Sequence, residues 1–433
     1  MNIILLSGGS GKRLWPLSND IRSKQFIKIL KNGDEYESMI QRIYRQIKEV
    51  DPDASITIAT SKSQISAVNN QLGNNVEICV EPCRRDTFPA ITLATAYLHD
   101  VKSVNENENV VVCPIDPYVD IEYFKAVNDL NIQVAKQEAN LVLLGIKPTY
   151  PSEKYGYIIP ENTNLISKVL RFKEKPDSKT AEEYIASGAL WNSGVFAFKL
   201  KYLLNITKEI FGFNDYKTLF SSYSELKKIS FDYAVVEKES KIHVLRFSGK
   251  WMDLGTWNTF TEAMEGTSIG NTIVNETCSN VHVINELSVP VLCMGLKDVV
   301  VAASPEGILV TDKQQSSYIK PYVDSINQEI MFAEKSWGSY RVLDVEEECL
   351  TIKVVLNTGH KMNYHSHDKR DEIWTIVCGE GETIIDGERR KVQAGDVIKM
   401  EAGCKHTIIA ETELHVVEVQ IGKDISVHDK VKF

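Results

Sequence analysis

The sequence lacks a long hydrophobic run, a secretion signal and a cysteine framework. No segment approaches the roughly 18 consecutive apolar residues that a transmembrane helix needs, so no membrane crossing is expected. Residues 1–6 have neither the basic start nor the extended apolar stretch of a signal peptide. The eight cysteines are scattered over 433 residues, and a chain of this length can fold without disulfides. These absences predict reduced thiols and a cytoplasmic location.

Positive charge is also scarce. Lys and Arg number 49 against 59 Asp and Glu, which gives a net charge of -10. Because such a surface repels phosphate at long range, the sequence argues against partners such as nucleic acid or an anionic membrane. A local basic pocket can still bind a small phosphorylated ligand. Hydrophobic residues at 43% and charged residues at 25% are ordinary for globular proteins and exclude extensive disorder.

The order of apolar segments divides the chain into three predicted regions. In residues 1–265, short apolar strands alternate with amphipathic helices, which predicts a Rossmann-like α/β domain with a mostly parallel sheet. Residues 266–330 contain short β-branched runs between turns, typical of a β-rich, β-solenoid-like segment with a linker. Residues 331–433 contain short strands punctuated by glycine, which predicts a small β-barrel.

A glycine-rich loop follows the first predicted strand. Glycine lets backbone N–H groups approach an anion closely, and cationic side chains add charge-assisted hydrogen bonds. The position directly after a buried strand favours a triphosphate site over a flexible surface loop. The loop has neither the Walker nor the dinucleotide-binding pattern. Its residues are Gly8, Gly9, Ser10, Gly11, Lys12 and Arg13, and Lys24 follows shortly after.

Two isolated aspartates each follow an apolar segment. Asp116 comes after the strand predicted at 110–113, and Asp253 comes after residues 247–252. Two carboxylates that converge on one Mg²⁺ are what a nucleotidyl transfer requires. Either aspartate taken alone is more often a turn residue, so the spacing by itself leaves this pair a hypothesis.

The glycine-rich loop and its extension through Leu14-Trp15-Pro16-Leu17-Ser18 resemble the signature of sugar-phosphate nucleotidylyltransferases. The extension is most similar to that of mannose-1-phosphate guanylyltransferases. Further segments resemble motifs of that family in the same order, namely residues 81–90, 114–116, 155–158, 172–176, 191–194, 232–235 and 251–255. The resemblance implies that GTP and mannose 1-phosphate are the substrates and that GDP-mannose and pyrophosphate are the products.

The resemblance also implies a role for each matching residue. Asp116 and Asp253 would hold the catalytic Mg²⁺. Arg13 and Lys24 would bind the nucleotide phosphates, and Lys175 would bind the phosphate of the sugar. The glycine-rich loop, including Lys12, would bind the nucleotide, and Glu81 and Arg85 would contact its base. The sugar would be bound by Gly156, Glu174 and Asn192. Because the sugar phosphate is already an anionic nucleophile, catalysis needs positioning and charge neutralisation rather than a general base.

The last region carries the spacing of two cupin motifs. Alternation along a strand places His365 and His367 on one face, and imidazole and carboxylate ligands suit Zn²⁺ or another divalent metal. The sequence therefore predicts a cupin barrel with a metal at His365, His367, Glu372 and His406. The first motif comprises Gly359, His365, His367, Glu372 and Gly379, and the second comprises Gly395, Gly403 and His406. We predict surface or structural roles for His360, His415 and His428.

A guanylyltransferase followed by a cupin resembles the bifunctional type II phosphomannose isomerase/guanylyltransferase family. This implies mannose 6-phosphate isomerase as a second activity and, by analogy, a homodimer. Some positions differ from the family pattern, among them Lys12, Asp86, Phe88, Pro117, Ser366 and Ile373. They keep three alternatives open. One is transfer to a heptose or another hexose, or from another nucleoside triphosphate. Another is a cupin that acts on a different sugar or on none, and the third is a non-enzymatic sugar-nucleotide sensor.

Overall fold

The computed structural model describes residues 1–9, 12–423, 425 and 429–433. Ser10, Gly11 and His428, which the sequence singled out, lie outside the described residues. The chain separates into two compact units. One comprises Met1–Ser10, Lys24–Ile65 and Leu72–Glu265, and the other Gly11–Ser23, Ser66–Gln71 and Gly266–Phe433. In the described ranges, no helix combines the length and the apolar character that a membrane crossing needs.

The first unit is an α/β domain. Its strands are β1 Asn2–Ser7, β2 Leu30–Asn32, β3 Glu35–Glu37, β4 Ser55–Ser61, β5 Glu77–Glu81, β6 Asn109–Pro114, β7 Pro117–Val119, β8 Leu141–Ile146, β9 Tyr157–Pro160, β10 Ile166–Lys173, β11 Leu190–Lys199, β12 Ile242–Phe247 and β13 Trp251–Asp253. Its α-helices are α1 Met39–Val50, α3 Thr87–Asp100, α4 Ile121–Ala135, α5 Ser178–Ala186, α6 Leu200–Phe211, α7 Tyr216–Ser221 and α8 Trp257–Glu262, while α2 Ile65–Leu72 has its middle residues in the second unit.

Nine of these strands form one sheet in the order β5-β4-β1-β6-β11-β8-β12-β10-β9. The first four pair in parallel, as do β8 and β12, while β11 runs antiparallel to both β6 and β8. Every residue of β8 is buried. Such continuous apolar strands need cover on both faces, which the helices provide. The predicted Rossmann-like, mostly parallel sheet is confirmed.

Helix α1 shows how local sequence sets these elements. Ser38 caps its first turn, and Gln41 returns the hydrogen bond to the Ser38 backbone, so two otherwise unpaired N–H groups are satisfied. Ile40, Ile43 and Ile47 recur at helical spacing and are buried. This helix is one of the amphipathic helices expected in residues 1–265.

The second unit begins with short, mostly parallel strands. They are β14 Ser268–Ile269, β15 Thr272–Val274, β16 His282–Asn285, β17 Val291–Cys293, β18 Val299–Ser304 and β19 Gly307–Asp312. β14, β16 and β18 pair in parallel, as do β15 and β17, and β19 closes the edge in antiparallel fashion. Val283, Cys293 and Val301 contribute to a small core of their own. Parallel stacking of short strands confirms the predicted β-solenoid-like segment.

The rest of the second unit, after the short helix α9 Lys320–Val323, is a two-sheet barrel. Its strands are β20 Phe332–Lys335, β21 Gly338–Glu346, β22 Cys349–Leu356, β23 His365–Ser366, β24 Arg370–Cys378, β25 Glu380–Ile385, β26 Glu388–Gln393, β27 Val397–Met400, β28 His406–Ala410, β29 Leu414–Gly422 and β30 Val431–Lys432. One sheet has the order β20-β21-β22-β29-β24-β27 and the other β26-β25-β28-β23-β30. Trp374, Met400 and Val416 lie in the core of the barrel. The predicted cupin barrel is confirmed.

Candidate functional site

The two singled-out aspartates meet at a short ribbon beyond β6. Asp116 lies between β6 and β7, and Asp253 ends β13. β7 and β13 pair in antiparallel fashion with Asp253 opposite Pro117, which brings Asp253 beside the residue that follows Asp116. The two side chains are 47% and 41% exposed. The structure therefore gathers two accessible carboxylates, the ligand type that a hard cation such as Mg²⁺ prefers.

Lys24 contacts both carboxylates. Its Nζ lies 3.2 Å from Asp116 Oδ2 and 3.9 Å from Asp253 Oδ1. Two carboxylates outweigh one ammonium, so these three side chains keep a net negative charge. That charge and the free access favour a divalent cation that arrives with a phosphate ligand, because Mg²⁺ is usually held by one or two carboxylates plus phosphates and water.

A cavity of about 210 Å³ connects these aspartates with the residues predicted to bind a sugar. Asp116 and Asp253 line it together with Gly156, Glu174 and Asn192. The separate motifs at 114–116, 155–158, 172–176, 191–194 and 251–255 thus supply one continuous pocket wall. A pocket with a cation-binding end and a polar end can hold a phosphorylated ligand and orient it.

Glu174 and Gly156 form a close-fitting part of this wall. The Glu174 side chain is 6% exposed, and its Oε1 accepts from Lys175 Nζ at 2.7 Å. That hydrogen bond raises the pKa of Lys175. A Cβ added at Gly156 would lie 2.6 Å from Glu174 Oε2 and 2.7 Å from the Phe172 ring. Glycine is therefore required for Glu174 to reach the pocket.

Asp232 belongs to the same wall, although the sequence did not single it out as a site residue. Asn192 Nδ2 donates to Asp232 Oδ1 at 2.7 Å, and Asn192 Oδ1 accepts from the Gly194 N–H at 3.2 Å, so both ends of the amide are fixed. Burial and the nearby Glu174 raise the pKa of Asp232 to about 7. Its position in the 232–235 motif was the available sequence signal.

The glycine-rich loop passes from one unit to the other. Gly8 and Gly9 follow β1 in the first unit, whereas Lys12 and Arg13 open a 3₁₀ helix in the second. Lys12 Nζ lies 3.1 Å from Asp324 Oδ1 within that second unit. The roles of Arg13 and Lys12 at the nucleotide phosphates stay predictions.

A buried network of polar side chains forms a hydrogen bond with the Gly9 backbone. Gln64 Nε2 donates to the Gly9 carbonyl at 3.4 Å, while Gln64 Oε1 accepts from Thr60 Oγ1 at 2.7 Å and from Ser7 Oγ at 3.1 Å. Buried polar networks of this kind fix a backbone when their members are satisfied. No sequence pattern distinguished Gln64 beforehand, because two of these partners, Ser7 and Gly9, lie more than 50 residues away along the chain.

The residues predicted for the base lie apart from the 210 Å³ cavity, whose lining includes neither Glu81 nor Arg85. Glu81 ends β5 and accepts from Tyr223 Oη at 2.8 Å. Burial raises the pKa of Glu81, although the Tyr223 hydrogen bond and Arg84 oppose the shift. Base recognition by these two residues stays a prediction.

The second unit holds a cluster of three buried histidines. His365 on β23 lies opposite His406 on β28, and His367 follows two residues after His365. One ring nitrogen from each of the three histidines lies within 4.8 Å of those of the others. Glu372 on β24 joins them, with Oε1 3.1 Å from His367 Nε2 and Oε2 3.2 Å from His406 Nε2. The structure brings all four predicted cupin ligands together.

Backbone carbonyls set the tautomers of these histidines. Nδ1 of His365, His367 and His406 lies at the carbonyls of Asn363, Asp429 and Cys404 respectively. A carbonyl can only accept, so we assign each Nδ1 as the donor, which makes each Nε2 an acceptor, the form in which an imidazole can ligate a metal. Burial lowers the pKa of His365 to about 3 and that of His367 to about 4, which keeps both neutral, as metal ligation requires.

Two buried atoms in the cluster lack a hydrogen-bond partner among the described residues. They are Glu372 Oε2 and His406 Nε2, which face each other as acceptors. Burial alone would raise the pKa of Glu372, but the contacts with His406, His367 and Arg370 lower it overall, so the carboxylate is ionised. A divalent cation would satisfy both atoms, and the donor set fits such a metal.

Arg370 is a further member of the cluster that the sequence did not reveal. Its Nε donates to Glu372 Oε1 at 3.2 Å, and its Nη2 donates to His367 Nε2 at 3.1 Å. Arg370, Glu372 and Trp374 alternate along β24 and all point to the buried face. The alternation along β24 could be predicted from the sequence, but the contact between Arg370 and His367 could not.

A cavity of about 610 Å³ opens onto this cluster within the second unit. Its lining includes His365, His367 and Arg370, together with Glu418 and Gln420 from β29. Three lysines, Lys335, Lys430 and Lys432, line the same cavity. Burial lowers the pKa of Lys430 to about 8. Burial and the charge of Glu372 raise the pKa of Glu418.

Comparison with known proteins places the first unit in a family. The nucleotidyl transferase family profile matches residues 2–268. The chain belongs to this family. A cupin domain profile matches residues 352–420, so the nucleotidyl transferase region is followed by a cupin, as the sequence predicted.

Curated relatives of this nucleotidyl transferase align over its full length. A mannose-1-phosphate guanylyltransferase of Salmonella montevideo is 27% identical over 99% of this chain and 98% of its own. The xanthan biosynthesis protein XanB of Xanthomonas campestris is 29% identical over 99% and 97%. A solved structure from Thermus thermophilus, titled a mannose-1-phosphate geranyltransferase, is 27% identical, with a TM-score of 0.64 over 75% of this chain and 98% of its own.

Proposed function

We propose that this nucleotidyl transferase moves GMP from GTP to mannose 1-phosphate and releases pyrophosphate. The observation that best supports this proposal is the single cavity lined by Asp116, Asp253, Glu174 and Asn192. The names of the relatives that align over nearly the whole chain supply the nucleotide and the sugar. The work would take place in the cytoplasm, where GTP is available.

Each side chain has a distinct task in this reaction. Asp116 and Asp253 would hold Mg²⁺, which supplies positive charge at the reacting phosphates. Lys24 and Arg13 would bind the nucleotide phosphates, and Lys175 would bind the sugar phosphate. Glu174 and Asn192 would hold sugar hydroxyls. A sugar-phosphate oxygen then attacks the α-phosphorus in line and pyrophosphate leaves, so positioning and charge neutralisation carry the catalysis.

The test combines each of the four nucleoside triphosphates with a panel of sugar 1-phosphates in the presence of Mg²⁺. We expect the fastest pyrophosphate release with GTP and mannose 1-phosphate. A faster reaction with a heptose 1-phosphate, another hexose 1-phosphate or another nucleotide would reassign the substrate. Tight sugar-nucleotide binding without pyrophosphate release from any pair would favour a sensor.

We also propose a second activity, isomerisation of a phosphorylated sugar such as mannose 6-phosphate at the cupin. The specific observation is that the His365 cluster shares its cavity with three lysines, which suit a phosphate group. A bound Zn²⁺ or other divalent cation would polarise the sugar carbonyl. Conversion of fructose 6-phosphate to mannose 6-phosphate tests this, and no conversion by metal-replete protein would contradict it.

A further inference from the structure

The cupin cavity is lined by a buried carboxyl group, Glu418, which is separate from the Glu372 of the histidine cluster. Glu418 is 6% exposed and lies on the inward face of β29, where Leu414, Val416 and Gln420 are its buried neighbours at alternate positions. A purely structural position on this face would favour an apolar side chain, because burying a carboxyl group is unfavourable without compensation. The cavity wall therefore contains a buried acid that is not part of the histidine cluster.

Strand register fixes where this carboxyl group lies. β24 and β29 pair in antiparallel fashion, with Glu372 opposite Gln420 and Trp374 opposite Glu418. Glu418 is thus a diagonal neighbour of Glu372 on the same inward face, at a backbone separation of roughly 7–8 Å. The Glu418 side chain lines the same cavity of about 610 Å³ as His365 and His367, and a cavity of this volume can hold a sugar phosphate.

Other acids at the cavity are less suited to proton transfer. Glu372 is occupied by Arg370, His367 and His406. Glu329, Glu346 and Glu347 also line the cavity, but all three are exposed. Gln420 Nε2 donates to Glu418 Oε1, which fixes the orientation of the carboxyl group. Within the described part of the cavity wall, Glu418 is the buried acid outside the histidine cluster.

We propose that Glu418 is the catalytic base that carries a proton between C2 and C1 of the open-chain sugar phosphate; this role rests on the proposed isomerase activity. The Glu418 carboxylate takes the proton from C2 of the aldose. The C–H electron pair forms the C1–C2 double bond, and the carbonyl π pair moves to O1. The same proton then returns to C1 as the C2 carbonyl forms. The O2 proton is transferred to water, and O1 takes a proton from water, so atoms and charges balance.

The experiment uses the full chain with Glu418→Gln, which keeps the shape of the side chain and its acceptor for Gln420. Glu388→Gln, on the exposed strand β26, is the matched control. We expect Glu418→Gln to retain its metal content and thermal unfolding temperature. It should lose at least about 100-fold in isomerisation and in the transfer of deuterium from C2 to C1 of 2-deuterated mannose 6-phosphate, within the usual range for a general base.

The outcomes separate the two proposals. An inactive wild-type protein with full metal content would remove the isomerase activity and the role of Glu418 with it. Active wild-type protein with a variant within about threefold of it would overturn the role of Glu418 alone. A variant that loses its metal or unfolds would show that Glu418 maintains the cluster and would likewise overturn the role as base. Guanylyl transfer measured with the same samples shows whether the first unit is still active in the variant.

Discussion

The two candidate metal sites of this chain differ chiefly in access. In the first unit, the Asp116 and Asp253 side chains are 47% and 41% exposed. In the cupin, Glu372 and His406 are each 2% exposed. Exposed carboxylates suit a cation that comes and goes with a nucleotide, whereas buried imidazoles suit a metal that stays through many turnovers. The difference in burial therefore makes the first site suited to a cation that arrives with the substrate and the cupin site suited to a resident metal.

Both sites nevertheless place a cationic side chain on their carboxylates. Lys24 contacts Asp116 and Asp253, and Arg370 contacts Glu372. The lysine side chain is 20% exposed, whereas the arginine is 7% exposed and donates to two members of its cluster. A buried cation that serves two acceptors stabilises one arrangement of the site. We expect the cupin cluster to be the more preorganised of the two.

The largest expected effect is at Asp253. Asp253→Asn removes one of two carboxylate charges and should lower guanylyl transfer about 1,000-fold, because the lost cation stabilises charge in the transition state. Pyrophosphate release measures the change, and the exposed Asp34→Asn is the matched control. The cupin metal content should not change. Near-normal turnover would remove Asp253 from the metal site.

His406 provides the corresponding test in the cupin. His406→Ala should weaken metal binding at least about 100-fold, since loss of a direct ligand exceeds the effect of losing an outer partner. Metal analysis after dialysis against a chelator gives the result, with the exposed His360→Ala as control. Guanylyl transfer should persist. A variant that holds its metal as firmly as the wild-type protein would contradict the assigned ligand set.

Gly156 tests the fit of the sugar end of the first cavity. Gly156→Ala adds a Cβ 2.6 Å from Glu174 Oε2 and 2.7 Å from Phe172, so the wall must shift. Overpacking of this kind destabilises by about 1–3 kcal/mol. We expect the KM for mannose 1-phosphate to rise about tenfold through displacement of Glu174, while the KM for GTP changes little. Steady-state kinetics and denaturant unfolding measure both, and unchanged sugar kinetics would show that Glu174 does not touch the sugar.

The smallest effect concerns the pH dependence of stability at Asp232. Its pKa is raised to about 7 in the folded protein, above the ordinary value of about 3.9. The folded state therefore binds the proton more tightly, and the stabilisation is lost as pH rises from about 4 through 7. Asp232→Asn should remove this loss and keep the acceptor for Asn192. Unfolding temperatures from pH 5 to pH 8 should fall more steeply in the wild-type protein, and parallel curves would refute the shift.

Several features were legible in the sequence because they depend on local order. The alternation of buried strands with amphipathic helices in residues 1–265 and the His-X-His alternation follow from the spacing of residues along one segment. The three histidines that the cupin spacing singled out lie together in the structure, because ligand types and spacing along the chain constrain each other. Glu418 and Arg370 were not singled out, because an acid or an arginine in a strand has no distinctive pattern until its neighbours are known. Asp232 was not singled out although it lies in the 232–235 motif, because only the structure shows its contact with Asn192.

The sequence by itself determined the order of the domains, the glycine-rich loop after β1 and the side chains able to ligate metal. Only the tertiary structure decided which groups share a space, since Asp116 and Asp253 meet through β7 and β13, and Glu372 and Glu418 through β24 and β29. The physical reason is that burial and charge depend on strand pairing between distant segments. Asp253 therefore remains accessible to a cation, while Glu418 is enclosed in a cavity wall.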